Sequence, residues 1–277
     1  SSLAQNTTAN NNTAIGHLAL TANTTGTRNV SVGTFALDAN TTADDNSAFG
    51  YSALTANTTG SKQTALGSQA LVAAVSGVEN TGVGFGALAS ITTASNNTAV
   101  GSNALVQSSA SNNTAVGKSA LQNNTSGTQN TAVGALALDA QTTDSNNTAV
   151  GYAALSANVQ TNNTGIGHQA LESNTTGTRN VAVGTQTLDA NTTGSDNNAF
   201  GHIALGKATT ASNNCAFGRS AGQEVTTGGS NTLIGHDAGG NTSTGSSNTF
   251  VGRSCGVVCT TGSNNICIGN QADVTDG

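Results

Sequence analysis

Asn113-Thr-Ala-Val-Gly117-Lys-Ser-Ala120-Leu121-Gln-Asn-Asn124-Thr-Ser-Gly127-Thr-Gln129 is one complete turn of the pattern that decides the fold. Asn130-Thr-Ala-Val-Gly134 follows at once and opens the next turn. Lines that start on such a pentapeptide begin at Asn12, Asn29, Asn46, Gln63, Asn80, Asn97, Asn113, Asn130, Asn147, Asn163, Asn180, Asn197, Asn214, Asn231, Asn248 and Asn265. The spacing is 17 residues, except after Asn97 and Asn147, where it is 16. A repeat of this length signals stacked supersecondary units. The consensus N-T-A-V-G-x-x-A-L-x-x-N-T-T-G-x-x defines slots 1 to 17 of each coil.

Each slot has a physical reading. Slot 5 is glycine in all sixteen coils, which implies positive φ or backbone packed on backbone. Slot 4 is always large and apolar, slot 8 is Ala except at Thr187 and Cys255, and slot 9 is Leu in the first twelve coils. Short β-branched runs bounded by Asn, Gly and Thr read as strands, so Thr114-Ala115-Val116 predicts one strand per coil and Ser119-Ala120-Leu121 a second. Asn57 to Gly60 and its equivalents read as turns. Seventeen residues cannot close a core alone, so coil must stack on coil. The expected fold class is all-β: a parallel β-solenoid of about sixteen 17-residue coils with no helix. At the inter-strand spacing of about 4.8 Å, sixteen coils predict a rod on the order of 75 Å long.

Stacking sets like slots above like slots. Asn113, Asn130 and Asn147 in slot 1 are expected to form an amide ladder, beside the glycine row Gly117, Gly134 and Gly151. Side chains alternate along a strand, so slots 2 and 4 share one face and slots 3 and 5 the other. Assigning the largest residues to the inside makes Val116, Val133 and Val150 the core, with Leu121, Leu138 and Leu155. Ala115, Ala120, Ala132 and Ala149 then become an outer stripe and the expected subunit interface. The inverse assignment leaves the Val/Leu stripe outside, so either way an apolar row awaits another chain.

Two segments are distinguished: a main shaft over residues 1–213, and a variant solenoid over 214–277 where Gly replaces Leu in slot 9 and all four cysteines occur. Both ends fall in mid-coil. The composition is extreme, with 35 glycines, no Pro, Met or Trp, 7% charged residues and 3% aromatic. A net charge of −6 offers no basic patch, so nucleic acid is not an expected partner. No apolar run has the length of a membrane span, so no membrane insertion is expected, and no signal peptide opens the chain.

No catalytic residue, metal ligand or cofactor site is expected, and the chain reads as a non-enzyme. His17, His168, His202 and His236 all occupy slot 6, but the nearest are two coils apart, roughly 9–10 Å, too far for one zinc. The glycines at Gly82, Gly84 and Gly86 lack the helix that a phosphate loop needs. Cys255, Cys259 and Cys267 lie in two adjacent coils, which permits either a disulfide among them or small buried thiols. Fifteen N-x-S/T sequons occur, and those in turn slot 12, among them Asn23, Asn57, Asn174 and Asn191, are the expected glycosylation positions where a host modifies them.

The run Asn113-Thr-Ala-Val-Gly117 with Ala120-Leu121 resembles the head repeats of YadA-type trimeric autotransporter adhesins. Asn231-Thr-Leu-Ile-Gly235 and Asn248-Thr-Phe-Val-Gly252 are similar to repeats of bacteriophage tail-fibre shafts. The resemblance implies a left-handed β-roll, often trimeric, that works in attachment, although the adhesin-head repeat is shorter than this one. It implies an extracellular, cell-surface or virion-associated protein, a structural subunit of a fibre, filament or adhesin stalk. Its partners would be copies of itself, in a trimer or an open filament, and a cell-surface glycan or receptor. An ice- or surface-lattice-binding solenoid and a carbohydrate- or receptor-binding tip are the alternative functions.

Overall fold

A computed structural model of the chain describes residues 1–274. It is a parallel β-solenoid, all-β, with no helix among the described residues. Two compact units divide it, Ser1–Thr143 and Asp144–Gly277. Each holds eight three-residue strands, one per coil, always over slots 2–4, from Thr13–Ile15 and Val30–Val32 onward. Within a unit, neighbouring strands pair parallel and in register, Thr114 on Thr131, Ala115 on Ala132, Val116 on Val133. The second strand expected around Ser119-Ala120-Leu121 is not formed. Ser119 and Leu121 have φ of 57° and 50°, and left-handed residues cannot continue a strand.

Hydrogen bonds join coil to coil at every corner. Thr13 N donates to Asn29 O at 2.9 Å, Gly33 N to Ile15 O at 2.8 Å, Leu20 N to Ala36 O at 3.0 Å and Thr24 N to Thr41 O at 2.9 Å. The residues in slots 7, 9 and 17 are left-handed, most of them not glycine, for example Ser119, Leu121 and Gln129. They turn the chain sharply enough to close a coil in 17 residues. Slot 5 needs glycine for two reasons: at Gly117 φ is 135°, and a Cβ there would lie 2.5 Å from the carbonyl of Gly134. In both 16-residue coils the residue lost is slot 14. Asn97 and Asn147 still donate to the slot 15 carbonyls, Ala110 O at 2.9 Å and Gln160 O at 2.8 Å, so the rest of the coil keeps its register.

The interior is the reverse of the expected one. Ala115, Ala132 and Ala149 are fully buried, as are Ala120, Leu121, Leu138 and Leu155. Val116, Val133 and Val150 lie on the outer face, only half-covered. The core assignment of those three valines is therefore corrected, and so is the placing of Ala115, Ala120, Ala132 and Ala149 at a subunit interface. The reason is space. Slots 3 and 8 face each other across a narrow coil: a Cβ on Gly82 in slot 3 would lie 3.2 Å from Ala87 O in slot 8 and 3.3 Å from Leu71 Cγ. Only small residues fit there, while slot 9 Leu fills the rest. The slot 4 stripe alone is outside, and the slot 9 leucines stay in the core where they were expected.

Asparagine lines two inner rows. The slot 1 amide of Asn113 donates to Gly127 O at 2.9 Å, and its oxygen accepts from Asn130 N at 3.0 Å. The slot 12 amide of Asn124 donates to the same Gly127 carbonyl at 3.0 Å. Slot 12 amides also bond coil to coil, Asn40 to Asn23 at 2.8 Å and Asn191 to Asn174 at 2.7 Å. Buried polar groups in so dry a space need partners, and these rows supply most of them, leaving the Oδ1 atoms of Asn124 and Asn191 without one.

The pattern change at Asn214 is a change of filling inside the second unit. In coils 13 to 15, Gly222, Gly239 and Gly256 stand where Leu stood, with φ of 62°, 59° and 70°. The lost volume comes back from slot 3 as Leu233 and Phe250, both fully buried. A Cβ on Gly222 would meet Leu233 Cδ1 at 2.5 Å, and one on Gly256 would meet Phe250 Cδ2 at 2.5 Å.

Two outcomes follow for stability. Ala115→Asp should cost about 3 kcal/mol or more, because it places a charge in a closed interior, while Val116→Asp should cost about 1 kcal/mol or less. Denaturant melts of the two variants check this. Phe250→Ala and Gly256→Leu should each destabilise, the first by about 3 kcal/mol or more through a cavity. The double variant restores the shaft pattern and should recover on the order of 2 kcal/mol in a double-mutant cycle.

Candidate functional site

With the interior filled, any function lies on outward rows. The broadest is the strand face, slots 2 and 4. None of these positions in any coil carries a charge. Slot 4 presents Ile15, Val32, Phe49, Leu66 and their successors, with exposures of 61% at Ile15 and 49% at Leu66. Phe200 and Phe217, also slot 4, stack at 4.5 Å. Slot 2 adds ten threonines beside this apolar row.

The threonine rows differ in what their hydroxyls do. Slot 13 hydroxyls donate along the stack, Thr24 to Thr41 O at 3.0 Å and Thr192 to Thr209 O at 3.0 Å. They are consumed in holding coil to coil. Among the described residues, the slot 2 hydroxyls of Thr64, Thr98 and Thr114 make no hydrogen bond. They are presented to whatever lies outside.

Charge is confined to other rows. Slot 17 alternates sign through four coils: Arg28 Nε lies 2.6 Å from Asp45 Oδ1, and Lys62 Nζ lies 3.0 Å from Glu79 Oε1. Arg179 and Asp196 repeat the pairing at 2.6 Å. The guanidinium hydrogen bonds hold Asp45 and Asp196 below the usual carboxylate range. All of these pairs are solvent-exposed, so they direct register more than they add stability. In slot 10, burial pushes the carboxyls of Asp38, Asp139 and Asp189 up, and Asp38 Oδ1 is buried without a partner.

The slot 6 histidines lie on an outer corner, and no group of three metal-ligating side chains forms among the described residues. Tyr152 and His168 stack at 5.5 Å, while Arg219 Nη1 reaches His236 Nε2 at 3.2 Å. His236 Nδ1 lies 2.8 Å from Asp237 Oδ2, close enough for an ion pair but not aligned for a hydrogen bond. A shallow cavity of about 250 Å³ opens at Gly240, where slot 10 lacks a side chain between Gln223 and Val257. Glu224 in its wall is tied to Lys207 at 2.8 Å.

One further expectation is corrected. Asn23, Asn57, Asn174 and Asn191 are fully buried in the slot 12 amide row, so folded coils cannot carry glycan there. Their recurrence at a fixed slot, like that of slot 1, was the available sign of a second inner ladder. Cys255, Cys259 and Cys267 are buried free thiols in this structure. By contrast, the slot 1 row through Asn113, Asn130 and Asn147 and the glycine row through Gly117, Gly134 and Gly151 lie where their spacing placed them.

No protein-family model matches the chain, and no curated protein or solved structure does.

The slot 10 carboxyls give a pH signature. Their folded pKa values are raised above the unfolded one, so the cost of holding them ionised is present above the folded value and vanishes as pH falls to the unfolded value near 4. The triple variant Asp38→Asn, Asp139→Asn, Asp189→Asn should melt higher than wild type at pH 7 and at the same temperature at pH 3.

Proposed function

We propose that this chain is a structural subunit of an extracellular fibre, filament or adhesin stalk: a stiff, non-enzymatic spacer that works in attachment as a homo-oligomer. The observation that carries the reading is the strand face. Each coil fills its interior with other slots and still leaves the large apolar side chain of slot 4 on the outer face. Soluble monomers rarely expose so continuous an apolar surface. A chain of net charge −6 meets its own copies most readily through a face without charge, and slots 2 and 4 supply one.

The mixture of Val, Ile, Leu and Phe in slot 4 supports copies set side by side with coils level. Each layer then packs against its own equivalent, so the residue can change from coil to coil without loss of fit. A closed three-fold arrangement and an open lateral array both satisfy this condition. Stiffness within each unit follows from the ladders, since coil is bonded to coil at successive corners.

A second reading has one observation in its favour. The unbonded slot 2 hydroxyls beside a methyl-bearing row repeat at about 4.8 Å, which suits an ordered lattice such as ice. Phe49, Leu66, Phe200 and Phe217 interrupt the flatness such a surface needs. Recognition of a cell-surface glycan or receptor by an outer corner of the coil is the remaining alternative.

Sedimentation tests the assembly. Wild type should run as an oligomer at micromolar concentration, and Ile15→Gln, Phe49→Gln, Leu66→Gln together should shift it to the monomer with an unchanged circular-dichroism spectrum. A compact wild-type monomer would overturn the reading, and thermal hysteresis from that monomer would favour the lattice instead.

A further inference from the structure

We propose that Cys255 and Cys267 are a cross-linking pair, forming one disulfide that staples coil 15 to coil 16, and that Cys259 takes no part. The proposal rests on interior geometry and stands apart from the fibre reading. Slot 8 and slot 3 face each other across every coil; Ser31 Oγ in slot 3, for instance, donates to Ala36 O in slot 8 at 2.7 Å. In the shaft both slots are almost always alanine. Sulfur enters these two rows only at the junction of coils 15 and 16, one residue on each wall and one coil apart. Cys255 occupies slot 8 of the lower coil and Cys267 slot 3 of the upper, with Cys255 Sγ 2.9 Å from Cys267 O. Cys255 is fully buried and Cys267 5% exposed, so each thiol looks onto the other's side of the same dry interior.

The other two cysteines are placed elsewhere. Cys259 holds slot 12 and takes over the task of the asparagine it replaces. Its Sγ lies 3.6 Å from Gly262 O, the slot 15 carbonyl, and 3.6 Å from Asn265 Nδ2. Cys215 sits two coils lower, half-buried on the outer strand face.

The chemistry balances as a two-electron oxidation. The two S–H bonds break and one S–S bond forms, while two electrons and two protons pass to a small-molecule disulfide, which leaves as two thiols. Burial, with Cys267 beside it, pushes the Cys255 thiol up to about 12, so in the closed coil Cys255 is protonated and unreactive. Oxidation therefore proceeds as coil 16 docks or transiently opens. The bond would close a loop running from slot 8 of one coil to slot 3 of the next and so hold the two layers together in the unfolded ensemble as well.

The test uses the full chain equilibrated with oxidised glutathione, then denatured, alkylated and mapped by mass spectrometry. The expected product joins the Cys255 and Cys267 peptides, with Cys259 alkylated. Amide exchange at Gly269 and Gln271, whose N–H groups donate to Val251 O and Arg253 O, should slow on the order of a hundredfold on oxidation and recover on reduction. Cys259→Ala should keep that change and Cys267→Ala should lose it. A linkage that includes Cys259, two free thiols after equilibration, or exchange indifferent to oxidation would each overturn the proposal; the last comparison needs only the wild-type chain.

Discussion

The carbonyl of slot 15 points into the coil, where no water reaches and no backbone donor is available. In coil 7 that carbonyl, on Gly127, receives the amides of both Asn113 and Asn124. Most of the architecture answers to this contact. A side chain short enough to stay inside, carrying two donors and an acceptor, meets it: asparagine holds slot 1 in every coil but that of Gln63, while slot 12 also accepts Ala74, Ile91 and Val225, which donate nothing. The same amide oxygen that is left over accepts from the backbone of the next coil, Asn130 N, and so the pairing within a coil also sets the pairing between coils. An interior held by such contacts has little volume left. Alanine in slots 3 and 8 and one leucine in slot 9 complete it.

Much of this was legible in the repeat. The 17-residue spacing determines the coils, and invariant slot 5 glycine marks the place where backbone passes over backbone at Gly117 and Gly134. What the spacing leaves open is polarity. A three-residue strand has one middle residue and two flanking ones, and alternation says only that Ala115 and Val116 face opposite ways. Size suggests valine inside, yet the coil is too narrow for it, a fact that resides in its closed path and not in any local preference. The left-handed leucines were equally hidden. Leu121 at φ 50° contradicts its intrinsic preference, and only the fully buried site that receives its side chain makes the conformation worth adopting. The slot 12 asparagines read as ordinary turn residues because Asn-Thr-Thr-Gly is turn chemistry; whether such an amide faces in or out is decided by closure.

Coils 13 to 15 show that the interior has more than one solution. There the large side chain comes from the strand, as Leu233 or Phe250, and slot 9 returns to glycine, which also relieves the left-handed strain carried by leucine in the shaft. The exchange keeps the volume while moving the bulk to the opposite wall. It is compatible with the same hydrogen-bonded corners, since the bonds at slots 2, 5 and 9 persist: Gly222 N still donates to Ala238 O at 2.9 Å. Backbone pairing and side-chain filling are therefore separable in this fold, and the outer rows are free of both.

The alternating slot 17 charges acquire a meaning from the sameness of the coils. Where successive layers are nearly interchangeable, a nascent chain can omit one, looping it out and closing the gap with the layer beyond, at almost no loss of contacts. Such a miscounted stack would bring Arg28 over Lys62 if the second coil is lost, or Asp45 over Glu79 if the third is, like charge upon like. The exposed pairs add little to a correctly wound chain, but they penalise the one that has skipped a layer, and they thereby let a monotonous sequence count.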